Sequence, residues 1–437
     1  MNLSKSFAIY SKRTMLPDKT VPATIIVDDG KISSIHLGKK EAANLKFIDV
    51  ADSVVMPGVI DPHVHINEPG RTEWEGFETA TKAAVAGGIT TVVDMPLNSS
   101  PVTINKKNFI KKTEVAKNKC SANVYYWGGA TPQNSNNIGE ILSTSVLGIK
   151  AFLTHSGIDE FPNVTENDLN KIMPEIAKSG KPLLVHCELD EPNSGQELLK
   201  QNPTSYQAWL KSRPKDWENK AIKMMIDLCE KHNCQVHIVH LSSAEAMPLI
   251  EDAKRKRLPI TVETCPHYLY FSAEDIPDAN TKFKCAPPIR EKENNKQLFK
   301  ALQNGLIDFV ASDHSPAPPE IKELKSGDFS KAWGGIASLQ FSLSLMWTLA
   351  RKNNLPLEDI RTWLSENPAK LIQMSNSKGK IQVGYDADLV VWNPDEKFII
   401  TEDLIKFRHK ISPYIGEKLF GKVEKTFVVG DCVFNRK

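Results

Sequence analysis

The stretch Val54-Val55-Met56-Pro57-Gly58-Val59-Ile60-Asp61-Pro62-His63-Val64-His65 decides how the rest of the chain is read. It is an apolar, β-branched run of the kind that forms a buried strand, and it ends on two histidines one residue apart. Side chains alternate across a strand, so His63 and His65 point to one face and Val64 to the other. Neutral imidazoles offer lone pairs near physiological pH, which suits such a pair to one metal ion. The bland alternative is two unrelated core or surface histidines, and the company they keep separates the two readings.

Four more potential ligands lie in or just after apolar β-like runs. Leu147-Gly148-Ile149-Lys150-Ala151-Phe152-Leu153 puts a lone lysine inside a run that reads as buried. Pro182-Leu183-Leu184-Val185 leads into His186, Val236-His237-Ile238-Val239 into His240, and Leu306-Ile307-Asp308-Phe309-Val310-Ala311-Ser312 into Asp313. With runs at 89–94, 123–127 and 260–265 these make eight strands, separated by helix-period segments such as 220–229. The alternation predicts an α/β chain whose residues 54–378 form a (β/α)8 TIM-like barrel. Such a barrel gathers residues distant in sequence at the C-terminal ends of its strands, so one site is expected. Residues 1–53 and 379–437 are β-rich text, with a turn-forming Asp29-Gly30 and the run Ala387-Asp388-Leu389-Val390-Val391-Trp392. They predict a small discontinuous β-sandwich domain built from both ends of the chain.

Composition narrows the function classes. The 437 residues carry 55 basic and 53 acidic side chains, a net charge of +2, which gives no electrostatic reason to expect nucleic acid or an anionic membrane as partner. Seven scattered cysteines without CxxC pairs read as reduced thiols. The first ten residues lack the pattern of a secretory signal, and a cytoplasmic protein is expected. The stretch 336–350, broken by Ser338, Gln340, Ser342 and Ser344, is shorter than the roughly 20 residues of a membrane span and predicts a buried helix. Lys254-Arg255-Lys256-Arg257 reads as a solvated helix end.

Lys150 makes chemical sense beside four histidines and an aspartate only if it is not a cation, because an ammonium cannot ligate a metal. It is either a neutral base or has been converted into an anion. Asp61-Pro62-His63-Val64-His65, a fourth-strand lysine, histidines on the fifth and sixth strands and Asp313 on the eighth together resemble the cyclic-amidase branch of the amidohydrolase superfamily. The likeness covers essentially the whole chain, including Gly384-Tyr385-Asp386-Ala387-Asp388-Leu389-Val390. It implies a pair of divalent ions, usually Zn2+, bridged by an N6-carboxylated Lys150 and a hydroxide. His63, His65 and Asp313 would hold one ion and His186 and His240 the other, with Asp313 also moving the proton. It also implies a homo-oligomer, expected as a tetramer. His237, His267 and His314 are read as core or supporting residues.

Within that branch, Gly70-Arg71-Thr72-Glu73-Trp74-Glu75-Gly76-Phe77, Asp94-Met95-Pro96-Leu97-Asn98-Ser99, the stretch 150–161 and Trp333-Gly334-Gly335 are similar to the allantoinases. The similarity implies hydrolysis of the hydantoin-ring amide of allantoin to allantoate, a step of purine ureide catabolism. Dihydroorotases typically carry an arginine where this chain has Asn67, and a neutral amide cannot make the bidentate pair a carboxylate prefers, so an uncharged substrate is expected. Dihydropyrimidinases and hydantoinases, the nearest alternative, typically place a tyrosine shortly after the lysine, where this chain has Thr154, His155 and Ser156. A non-catalytic scaffold is the remote alternative, and retention of all the ligands speaks against it. Substrate contacts are expected from Asn67, Asn98, Ser156 and the backbone around Cys285 and Gly334.

Overall fold

The barrel strands are Val59–Val64, Ile89–Asp94, Asn123–Tyr126, Ile149–Phe152, Leu183–His186, Val236–Ile238, Ile260–Thr264 and Phe309–Val310. In the computed structural model, which describes residues 5–41 and 44–436, they run parallel in sequence order. Residues 1–4, 42, 43 and 437 lie outside, and with them part of the N-terminal stretch read for a signal. A two-residue strand, Gly128–Gly129, pairs with Ile149–Phe152 and joins the two halves of the wall. Only glycine fits there: a Cβ on Gly129 would stand 2.4 Å from the Phe161 ring. Closure is made by His65 N–H donating to His314 O at 2.8 Å.

Helices cover the barrel through stripes of apolar residues. Glu166–Ser179 starts on a reciprocal Thr165–Asp168 cap and buries Leu169, Ile172, Met173 and Ile176, a spacing of three and four that puts them on one face. The segment 220–229 lies inside the helix Lys215–His232, which buries Ala221, Ile222, Met225, Ile226 and Cys229. The stretch 336–350 turns through Leu339–Phe341 into the largely buried helix Ser342–Lys352, where Ser344 Oγ donates to Gly421 O at 2.5 Å. Among the described residues no helix is long and apolar enough to cross a membrane.

Both ends of the chain enter one eight-stranded sheet. Its keystone is Val54–Pro57, parallel to Phe7–Met15 on one side and antiparallel to Leu389–Ile399 on the other. The sheet therefore reaches one strand beyond the boundary expected at residue 54, and the apolar run that ends on the histidines is two strands hinged at Gly58. The Phe7 and Phe427 rings stack at 4.9 Å although two strands separate theirs in the sheet, so the sheet curls onto itself around an apolar core. That curl gives the unit its sandwich form.

A buried ion pair holds the second barrel strand against the HxH segment. Asp94 Oδ1 accepts from Ile66 N–H at 2.8 Å, and its Oδ2 takes the Lys112 ammonium at 2.6 Å, both side chains being fully enclosed. Burial raises the Asp94 pKa in spite of the lysine, the mark of a costly charge that is tolerated because it is paired. Lys112→Met is expected to destabilise the fold by about 3–5 kcal/mol, and Lys112→Met with Asp94→Asn by much less. Denaturant unfolding of the two variants reads the difference, and equal losses would contradict the pairing.

Candidate metal centre and cavity

A cavity of about 380 Å3 is lined at its base by His63, His65, His186, His240 and Asp313, all from the C-terminal ends of barrel strands. His63 Nε2 and His65 Nε2 approach one Asp313 carboxylate oxygen at 3.2 and 3.5 Å. One donor atom from each of these three lies within 4.8 Å of the other two. The His63 ring stands 5.4 Å from that of His240, which stands 4.5 Å from His186. Fully buried among them is Lys150, whose Nζ has no hydrogen-bond partner among the described residues and lies 4.9 Å from the centre of the Phe152 ring. Burial, opposed by Glu263 and Asp313, brings its pKa down to about 8.

Sharp turns aim these side chains inward. His240 and Asp313 sit just past their strands with φ of 39° and 44°, and Asn98 has a φ of 65°. This left-handed region costs about 1–3 kcal/mol for most side chains, and Asn, Asp and His are among those that tolerate it best.

Each histidine at the base except His240 has its outer nitrogen occupied. His63 Nδ1 makes a very short hydrogen bond with Glu263 Oε1, leaving Nε2 toward Asp313. His186 Nε2 meets Glu188 Oε2 at 2.7 Å, leaving Nδ1 as its donor, and Arg213 holds Glu188 through Nε at 3.0 Å and Nη2 at 2.5 Å. His65 Nδ1 accepts from Asn98 Nδ2 at 3.2 Å, which leaves the ring proton on Nε2, toward Asp313. His240 Nδ1 has no partner among the described residues. At His63 and His186 the glutamates set which lone pair is free, the arrangement that protein metal ligands require.

The charges follow. Burial alone would raise Glu263 and Glu188, but His63 and His237 bring Glu263 down to about 2, and Arg213 and His186 do the same for Glu188. Burial works against ionisation of Asp313 as well, yet His63 and His65 hold it well below the usual carboxylate range. Burial favours neutral His63, but Asp313 and Glu263 outweigh it and raise the ring to about 9. Without a metal, then, a proton on His63 balances the carboxylates, and cation binding must release it.

The structure brings His63, His65, His186, His240 and Asp313 together at the base of the cavity, and Lys150 lies buried within electrostatic reach of His65, His186 and His240. Of the expected substrate contacts, Asn98, Ser156 and Gly334 line the cavity, and Asn67 and Cys285 do not. Asn67 is buried outside the lining, with Nδ2 at 3.5 Å from Pro316 O. The inference of an uncharged substrate therefore cannot rest on contact with Asn67. Cys285 is buried and its neighbour Ala286 supplies the lining. Ser156 Oγ is already engaged with Phe161 O at 2.6 Å.

Glu188, Glu263, Trp209, Arg213 and Lys284 were missing from the sequence reading. The two glutamates had a signal, being acidic residues next to or within runs that otherwise read as buried. Trp209 lies in the short helix Tyr206–Ser212, Arg213 follows that helix and Lys284 follows the single turn Thr281–Phe283, so none of the three lies at a strand end.

The sequence model of the amidohydrolase family matches residues 54–433. The allantoinase of Arabidopsis thaliana is 44% identical, with 98% of this chain and 87% of the relative aligned. A mitochondrial allantoinase of Aquarana catesbeiana is 48% identical over 95% of this chain and 86% of its own length. Among solved structures, the L-hydantoinase (dihydropyrimidinase) of Arthrobacter aurescens superposes with a TM-score of 0.92 at 32% identity, covering 98% of this chain and 96% of that one.

Replacing Glu263 with glutamine keeps its shape but removes the charge that orients His63. Glu263→Gln is expected to weaken metal retention about ten- to a hundredfold, read as metal content after dialysis against graded chelator. Wild-type retention would show that His63 needs no such partner.

Proposed function

Since the chain belongs to the amidohydrolase family and its relatives at 44 and 48% identity are allantoinases, we propose that it hydrolyses the ring amide of allantoin to give allantoate. The observation that carries this reading is the buried Lys150 amine, without a hydrogen-bond partner among the described residues and within electrostatic reach of His65, His186 and His240, beneath a cavity whose base is four histidines and Asp313. A lysine there is an expensive choice for packing alone and a fitting one for an anion in waiting.

Its neutral amine can add to CO2, forming an N–C bond and releasing a proton, to give an N6-carboxylate with two ligand oxygens. That anion, His63, His65 and Asp313 on one side and His186 and His240 on the other form a donor set for two divalent ions, of which Zn2+ fits nitrogen and oxygen ligands best. When bound, such ions polarise the scissile carbonyl and lower the pKa of water. Glu263 and Glu188 keep His63 and His186 in the required tautomers. Asp313, held ionised, takes the proton of the attacking water and delivers it to the ring nitrogen as the C–N bond breaks.

Allantoin is a neutral ring with a ureido arm, so it needs several donors and acceptors and little net charge. Asn98, Thr154, Arg213 and Lys284 supply them in the cavity wall, and the Arg213 charge is already spent on Glu188. Trp209 and Trp333 give flat surfaces for a planar ring. By family resemblance we read the assembly as a homotetramer.

The test is a side-by-side assay of metal-replete protein on allantoin, dihydroorotate, dihydrouracil and hydantoin, with metal measured on the same sample. Strong preference for allantoin with about two ions per chain is expected. A better rate on dihydrouracil or hydantoin overturns the substrate, and bound metal without turnover overturns the enzyme reading.

A further inference from the structure

Cys265 follows the strand Ile260–Thr264, and His267 lies in the short helix Pro266–Tyr270 next to it. Both side chains are fully buried, and they meet Asp313: one donor atom of each of the three lies within 4.8 Å of the other two. Neither ring nitrogen of His267 has a hydrogen-bond partner among the described residues. A buried imidazole N–H left in that state is destabilising, so the ring gains from a ligand. Neither residue takes part in the chemistry proposed above.

A thiol sulfur, an imidazole nitrogen and a carboxylate oxygen are donors for zinc and softer ions and poor company for magnesium or calcium. Tetrahedral ligands at about 2.0–2.3 Å from an ion stand roughly 3.3–3.8 Å apart, so a small closing movement brings all three donors onto one centre. We infer that Cys265, His267 and Asp313 form an additional, inhibitory site for a thiophilic divalent cation. On binding, a sulfur–metal bond forms and the thiol proton leaves to solvent. Asp313 lines the cavity, so a cation reaches its carboxylate from there, with Cys265 and His267 buried behind it. The same carboxylate serves the His63–His65 pair, so an ion here draws it away from proton transfer. Inhibition rests on the proposed role of Asp313, whereas cation binding does not.

The experiment uses holoenzyme carrying Cys432→Ser, which removes the exposed thiol. It is titrated with Cd2+ while turnover, resident metal and the ultraviolet thiolate-to-cadmium charge-transfer band are followed. One further ion per chain is expected, with band and inhibition saturating together. Cys265→Ala in the same background should keep its uninhibited turnover, lose the band and need at least roughly tenfold more Cd2+ for equal inhibition. His267→Asn should weaken binding with the thiol in place, an independent check if the first variant folds poorly. An unchanged band in Cys265→Ala, or cadmium entering only by replacing resident metal, overturns the site. Loss of the band with inhibition intact overturns the link through Asp313. If holoenzyme turned over none of the four cyclic amides, the band would still report the site, so the two readings fail separately.

Discussion

Glu263 is the carboxylate on which the barrel and its chemistry both depend. It is fully buried in the seventh strand, with Oε1 on His63 Nδ1 and Oε2 at 3.1 Å from His237 Nε2. The backbone N–H of His240 also reaches Oε1, at 3.4 Å. One side chain thus fixes residues from the first and sixth strands, and His237 is fixed in turn by Thr261 Oγ1 at 2.8 Å. Breaking a buried charged pair typically costs about 3–5 kcal/mol, because the surviving charge is stranded. The site geometry is thereby tied to the stability of the fold. Asp61 does the same between the first and eighth strands, accepting from the backbone N–H groups of His63 and Ser312 at 3.2 Å.

Concentrating carboxylates in this way is unfavourable unless cations answer them. Glu263, Asp313 and Glu188 stay ionised against the cost of burial because His63, His237 and Arg213 surround them. Lys150 is the exception. It is buried with no hydrogen-bond partner among the described residues, and its charge is disfavoured. Conversion of this amine to an anion, together with bound cations, gives every charged group at the base a partner. The same principle makes the unpaired His267 beside Cys265 informative.

The six proposed ligands could be picked out in the sequence because each lies at or just beyond an apolar strand, and strand ends in a parallel barrel converge. The eight barrel strands were readable for the same reason. The hinge at Gly58 was not, since Val54–Pro57 and Val59–Val64 are equally apolar and only pairing partners tell them apart. Asn67 misled because proximity to the HxH pair along the chain does not fix which way a side chain points, and its amide turns to Pro316 O. Arg213 and Lys284 stayed hidden because they reach the cavity from connecting segments whose path is fixed by packing alone.

The most direct test of the central claim is 13C NMR of protein reconstituted with metal in 13C-labelled bicarbonate. The account predicts a single slowly exchanging carbamate resonance, present when the chain carries its full metal complement and absent in Lys150→Ala, which also fails to retain metal. A fully metallated, active protein with no carbamate signal, or the same signal in Lys150→Ala, would contradict it.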